Sequence, residues 1–244
     1  MKPKTFAFIS DLHLQAEEPE KTNIFLRFLQ SEAKSIDELF ILGDLFEYWV
    51  GDDQADEPCI AEIILNLREL TKTGTKVAVM HGNRDFLIGQ KFSKLTGASL
   101  LPDEVLIDIH GQRALLLHGD TLCTDDIDYQ SIRAVIRNPE WRREFLKKPI
   151  GERKQIARSY RLESESAKKE KEKEIMDVSL ETLYSTLREW NYPLLIHGHT
   201  HRPQHHAHEV DGANCARFVL ADWSATRGHA LVFDKTGFRE IDLS

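Results

Sequence analysis

Cysteine is scarce in this sequence. Cys59, Cys123 and Cys215 are its three thiols, an odd and widely spaced set that offers neither a disulfide framework nor a CxxC metal knuckle. Sparse, reduced thiols suit a cytosolic protein. Long apolar runs are also missing. No hydrophobic stretch reaches the about 20 residues needed to span a bilayer, so any membrane contact is expected to be peripheral. Met1 to Ser10 lacks the charged start and apolar core of a signal peptide, which again predicts a cytoplasmic location. There is no excess of positive charge: 32 Lys and Arg against 40 Asp and Glu leave a formal net charge of −8. That balance argues against a general nucleic-acid binder, and no nucleic-acid partner is expected. No internal repeat is present, so no repeat architecture is expected.

What remains is enough for an ordinary core. The chain has 244 residues, of which 41% are hydrophobic and 30% charged, which suits one domain with a sizeable insertion. Short apolar runs read as buried strands: Phe6 to Ile9, Leu39 to Leu42, Val77 to Met80, Leu115 to Leu117 and Leu194 to Ile196. Between the first three lie amphipathic helical stretches carrying Ile24, Phe25, Phe28 and Leu29, then Ile60, Ile63, Ile64, Leu67 and Leu70. This alternation predicts an α/β layered fold. After Pro193, alternating segments at Ala216 to Leu220 and Ala230 to Phe233 read as strands, with turns at Asp211-Gly212 and Thr236-Gly237.

Residues 125–191 differ from the rest. They read as helical throughout, broken at Asn138-Pro139 and Pro149. Residues 1–124 and 192–244 are therefore expected to form the core and 125–191 a helical insertion. Between Arg133 and Lys173 basic residues outnumber acids. The run Lys168 to Glu174 has the mixed charge of a solvated helix face. The Arg-rich part from Arg133 to Arg161, interleaved with Ile132, Ile136, Trp141, Phe145 and Tyr160, reads as a functional face.

The chemistry-bearing residues stand where the strands stop. Asp11 and His13 follow the first strand as D-x-H, Asp44 follows the second, Asn83 the third, His118 the fourth, and His199 and His201 the fifth. In layered α/β sheets, ligand sites lie beyond the carboxyl ends of strands. These are nitrogen and oxygen donors without a thiolate, a set suited to manganese, iron or zinc. A two-residue spacing can place both side chains of D-x-H or H-x-H on one side of an extended chain end. A carboxylate such as Asp44 can bridge two ions, and two ions about 3.5–4 Å apart can clamp the attacking and leaving oxygens of a phosphoryl displacement. One such motif alone is weak; five in register at strand ends are not a coincidence. His110, His205, His206, His208 and His229 lack motif context and are read as non-catalytic. His81 and His197 precede motif glycines, and either a structural or a supporting role is open to them.

The strings DLHL, GD, GNRD, HGD and HGHTH resemble the calcineurin-like metallophosphoesterases. The longer strings Leu42 to Asp53, His81 to Gly89, His118 to Asp126, Ile175 to Val178 and His197 to Pro203 resemble, within them, the UDP-2,3-diacylglucosamine pyrophosphatases of lipid A synthesis. The resemblance implies a sandwich of two mixed sheets flanked by helices. It implies one ion held by Asp11, His13, Asp44 and His201 and a second by Asp44, Asn83, His118 and His199, both manganese. It implies cleavage of UDP-2,3-diacylglucosamine to UMP and 2,3-diacylglucosamine 1-phosphate by water attack, expected at the α-phosphate. Substrate contacts are implied at Asn83, Arg84, Asp126, Ser164, Lys171 and His199. A further family contact is often Asn where this chain has Lys168. The implied setting is the cytoplasmic face of the inner membrane, with no obligatory protein partner. The alternative reading is another dinuclear phosphoesterase acting on a nucleotide or phosphate ester. A non-catalytic scaffold should have lost ligands, and none is missing.

One departure from the wider superfamily has a physical reading. Where many relatives have GNH, this chain has Arg84. A guanidinium stays protonated and is a poor proton donor. It is suited instead to gripping phosphate oxygens and stabilising charge. A pyrophosphate, whose leaving group is already a phosphate, needs no strong acid.

Overall fold

The structure is a computed structural model and describes residues 3–170 and 177–244, with the backbone alone at 163–170. Its strands are β1 (Phe6–Ile9), β2 (Glu38–Leu42), β3 (Lys76–Met80), β4 (Ser99–Leu100), β5 (Glu104–Ile109), β6 (Gln112–Leu117), β7 (Leu194–His197), β8 (Gln204–Val210), β9 (Ala213–Val219), β10 (Gly228–Asp234) and β11 (Gly237–Leu243). Its helices are α1 (Pro19–Gln30), α2 (Pro58–Lys72), α3 (Gln90–Thr96), α4 (Ile127–Ile136), α5 (Pro139–Leu146), α6 (Ile150–Glu170) and α7 (Leu180–Glu189).

The strands form two mixed sheets, ordered β11-β10-β1-β2-β3-β4 and β5-β6-β7-β9-β8. β1, β2, β3 and β4 run parallel, as do β6, β7 and β9, while β10, β11, β5 and β8 pair antiparallel. Alternation along each strand builds three layers of core. Phe6 and Phe8 of β1, Phe40 and Leu42 of β2, and Leu116 and Ile196 of the second sheet meet between the sheets. Ala7, Ile9, Leu39 and Ile41 face the other way and pack with Ile24, Phe28, Ile63 and Leu67 of α1 and α2. Leu115, Leu117 and Leu195 face α7 through Leu183 and Leu187. Strands covered on both faces read as unbroken apolar runs, which is why these were legible.

Where described, residues 125–191 are mainly helical, with breaks at Asn138-Pro139 and Pro149 as expected and a further non-helical stretch at 177–179. Asp126 caps α4 by accepting the Tyr129 N–H at 3.1 Å. Asn138 caps α5 by accepting from Glu140 and Trp141, with Pro139 in the first turn, where its missing N–H costs nothing. α7, however, covers the second sheet and belongs to the core layers. The overlying part of the segment is α4–α6.

Most arginines of the Arg-rich part are turned toward the core. Arg133 donates to Asp120 and Asp103 at 2.7 and 2.9 Å. Arg137 donates to the Gly82 carbonyl at 3.0 Å, and Arg142 to the Phe86 carbonyl at 2.9 Å. Arg153 is buried; it donates to the Lys148 and Val50 carbonyls and pairs with Asp53. These arginines fasten the insertion to the core and do not present a basic outer face. Long side chains satisfy buried carboxylates and carbonyls that would otherwise be costly. Arg143, Lys147 and Arg158 do face outward, with side chains 63%, 64% and 60% exposed. Among the described residues, no helix is long and apolar enough to cross a membrane.

Candidate metal centre

The carboxyl ends of β1, β2, β3, β6 and β7 converge, and the seven side chains singled out from the sequence converge with them. The loops after β1 and β2 run side by side: Asp11 N–H donates to the Gly43 carbonyl, His13 N–H to that of Asp44 and Leu14 N–H to that of Leu45, all within 3.1 Å. The backbone there is not the extended end that the two-residue spacing suggested. Asp11, His13, Asp44, His199 and His201 all have positive φ, between 50° and 69°. Non-glycine residues adopt this left-handed region at a cost, and such strain is held in place at functional sites by surrounding structure. Two glycines allow the close approach. A Cβ on Gly82 would collide with Asp44 Oδ1, and one on Gly198 with Asp11 Oδ2.

Asp11 uses one oxygen structurally and leaves the other for the cluster. Oδ2 accepts the His199 N–H at 2.8 Å. Oδ1 is buried without a hydrogen bond, 3.4 Å from His201 Nε2 and 3.9 Å from His13 Nε2. Asp44 divides its oxygens the same way. Oδ1 accepts the Arg84 N–H at 2.8 Å, while Oδ2 lies 3.9 Å from His13 Nε2 and 3.8 Å from His118 Nε2. One Asp44 oxygen therefore stands between His13 and His118.

The histidine tautomers fit metal ions. His118 Nδ1 lies 2.8 Å from the Leu42 carbonyl; a carbonyl only accepts, so Nδ1 carries the proton. Nε2 then presents a lone pair, yet it faces Asn83 Oδ1 at 3.0 Å. His199 Nδ1 faces the same oxygen at 2.9 Å. Acceptors brought together in this way need a proton or a cation between them. Burial works to lower the His118 pKa, but the carboxylates of Asp44, Asp11 and Asp120 outweigh it and push it up to about 9. The pull on a proton is the same pull that would hold a cation. His201 Nδ1 lies 3.6 Å from Asp222 Oδ2, an outer carboxylate of the kind that orients metal-binding imidazoles. Asp11, His13 and His201 form one close set of donor atoms, and Asp11, Asp44 and His118 another.

Three buried carboxylates around the cluster have roles that the sequence did not single out. Asp85 accepts N–H bonds from Gly82 and Leu45 at 2.8 Å each and from Asp44 at 3.3 Å, fixing two ligand loops to one another. Burial and the nearby Asp44 push its pKa up to about 6. Asp120 accepts from Tyr129 and Arg133 of α4, both at 2.7 Å, and the Tyr129 ring lies 5.8 Å from that of His199. Glu47 lies 3.3 Å from His13 Nδ1. All three sit inside the strings GNRD, HGD and Leu42 to Asp53; the strings were visible but the individual roles were not.

The remaining site residues divide. Asn83, Arg84, Asp126 and His199 line one cavity beside the cluster. The side chains of Ser164 and Lys168, and the whole of Lys171, lie outside the described residues. His197 is buried between the Gly198 carbonyl and Arg217; burial and the Arg217 charge lower its pKa to about 3, so it is a neutral structural group. His81 bonds to the Ile88 carbonyl at 2.7 Å.

Residues 4–203 match the family model for calcineurin-like phosphoesterases. A protein of Aromatoleum aromaticum named UDP-2,3-diacylglucosamine hydrolase is 50% identical over 216 residues, covering 88% of each chain. One of the same name from Chromobacterium violaceum is 46% identical over 237 residues, 97% of this chain and 98% of its own. A third, from Salmonella typhi, is 45% identical over 88% of this chain and 90% of its own. A two-sheet sandwich with convergent strand-end donors and relatives this similar lead to one family: the chain is a calcineurin-like phosphoesterase and belongs, within that group, with the UDP-2,3-diacylglucosamine hydrolases.

Proposed function

We propose that this metal-dependent hydrolase cleaves the pyrophosphate of UDP-2,3-diacylglucosamine to UMP and 2,3-diacylglucosamine 1-phosphate, a step of lipid A biosynthesis, with two manganese ions in the centre. The observation that carries the reading is one cavity of about 420 Å³. It is lined both by the polar Asn83, Arg84, His199 and His201 and by the apolar Ile136, Trp141, Phe145, Ile156 and Tyr160. A substrate with a charged head and an apolar tail needs both kinds of lining.

Asp11, His13, Asp44 and His201 would hold one ion, and Asp44, Asn83, His118 and His199 the other. Bound divalent ions supply charge neutralisation for the phosphates and activation of water. The protein's own residues do the rest. Arg84 is held by its backbone bond to Asp44, its guanidinium lies 3.7 Å from Glu47, and it lines the cavity. It would grip phosphate oxygens and stabilise charge as the anhydride opens, with no proton to donate. Water attack at the α-phosphate leaves the lipid phosphate as the departing group.

Helices α4–α6 would form a lid over the acyl chains, with Ser164 and Lys171 contacting the sugar phosphate, Lys168 a further substrate contact and Asp126 in the cavity lining. Ile127, Val135 and Leu146 of these helices are exposed apolar side chains. They support peripheral docking on the cytoplasmic face of the inner membrane, a reading that rests more on apolar contact than on charge. Turnover of UDP-2,3-diacylglucosamine, compared with a simple aryl phosphate ester, tests the function. Preference for the aryl ester would favour a general phosphoesterase.

A further inference from the structure

Glu47 lies in the loop after β2, and its N–H donates to the Leu14 carbonyl at 3.1 Å. This bond sets it beside the D-x-H turn. Its side chain is 6% exposed, and a carboxylate so buried is costly unless paired. It is surrounded by three partners. Oε2 is 3.3 Å from His13 Nδ1. Oε1 is 3.1 Å from Arg161 Nε and 3.7 Å from Arg84 Nη1. One partner belongs to the metal cluster, one is the residue assigned to the phosphates, and one comes from α6 of the insertion, more than a hundred positions along the chain.

We propose that Glu47 is a positioning residue that joins the metal centre to the insertion: one oxygen orients His13, and the other holds Arg84 and Arg161 together beside the cavity they both line. The inference rests on the metal reading given above and adds a role for a residue outside the ligand set. His13 Nδ1 is buried and makes no hydrogen bond among the described residues, and Glu47 Oε2 stands 3.3 Å from it. A carboxylate there keeps the ring proton on Nδ1 and directs the Nε2 lone pair at Asp11 and His201. The other oxygen has a separate task. Arg84 and Arg161 both line the cavity, and two guanidiniums held close repel unless an anion lies between them. Glu47 is that anion. Docking of α6 and orientation of the phosphate-binding arginine are therefore linked through one side chain.

The two roles separate by substitution. In Glu47→Gln an amide oxygen can still accept from His13, but a neutral group cannot hold two cations. Glu47→Ala removes both functions. Free Mn2+ is to be counted by electron paramagnetic resonance during titration of wild type and both variants, with kcat/KM measured separately at saturating Mn2+ and a thermal melt as the check on folding. Glu47→Ala is expected to lose about 10–100-fold in Mn2+ affinity. Glu47→Gln is expected to keep wild-type Mn2+ affinity and lose about tenfold or more in kcat/KM, as loss of a charge-assisted contact does. Wild-type Mn2+ affinity in Glu47→Ala, or wild-type kcat/KM in Glu47→Gln, would overturn the proposal. If Glu47→Ala does not fold, Glu47→Gln decides alone on the kinetic arm. Failure of the wild-type protein itself to bind Mn2+ would instead overturn the metal reading, so the two failures are distinct.

Discussion

His13 and His201 are 188 positions apart in the chain, yet their Nε2 atoms face each other at 3.3 Å, with Asp11 Oδ1 3.9 and 3.4 Å away. Two imidazole nitrogens this close need a proton or a cation between them, and the backbone has positive φ at both residues. A cation bound there would add stability. An ion that binds only the folded state at 100 times its dissociation constant adds about 2.7 kcal/mol. In a domain of this size that raises the Tm by about 5–10 °C. Chelator-treated protein is therefore expected to melt lower than Mn2+-loaded protein in calorimetry. Identical melting curves would contradict the cation site.

Asp44 Oδ2 reaches toward both His13 and His118. Its removal is expected to disable both halves of the centre, because a bridging carboxylate serves both ions. Asp44→Ala should show no measurable turnover, and chelation of wild type should have the same effect, with manganese restoring activity best. Substantial activity in either would contradict the assignment.

Arg84 is assigned to charge stabilisation. Arg84→Ala is expected to lower kcat by about 10²-fold or more, the usual effect of removing one preorganised donor. Arg84→Lys should recover only part of it, since an ammonium is a point charge and not a fork. Full recovery by lysine in steady-state assays would exclude bidentate recognition.

The apolar part of the cavity lining predicts that the acyl chains contribute to catalysis. Each CH₂ covered by protein is worth about 0.8 kcal/mol, so five covered methylenes correspond to about 10³ in kcat/KM. UDP-glucosamine, which lacks the chains, is expected to be poorer by at least that order. Equal efficiency on both substrates would mean that α4–α6 do not read the lipid.

Much of this was legible in the sequence for a physical reason. β1, β2, β3, β6 and β7 are buried on both faces, so they stand out as apolar runs, and every cluster residue follows one of their ends. β5 and β8 are less evident because they are only partly buried; β8 reads QHHAHEV, with a single buried residue. The left-handed backbone at five of the cluster residues was not legible either, because the D-x-H spacing looks the same in an extended chain. The partners of the arginines were not legible for a similar reason. Arg153 meets Asp53 and Arg133 meets Asp103 across 100 and 30 positions, and composition carries no information about such partners. Glu47 stood between Phe46 and Tyr48 as one letter of a longer string.

The most direct test of the central claim is where the solvent oxygen goes. UDP-2,3-diacylglucosamine hydrolysed by the Mn2+-loaded protein in ¹⁸O-water, with both products weighed by mass spectrometry, reports which phosphorus is attacked. The account predicts one ¹⁸O in UMP and none in 2,3-diacylglucosamine 1-phosphate. Label in the lipid phosphate, or no turnover of this substrate, would contradict it.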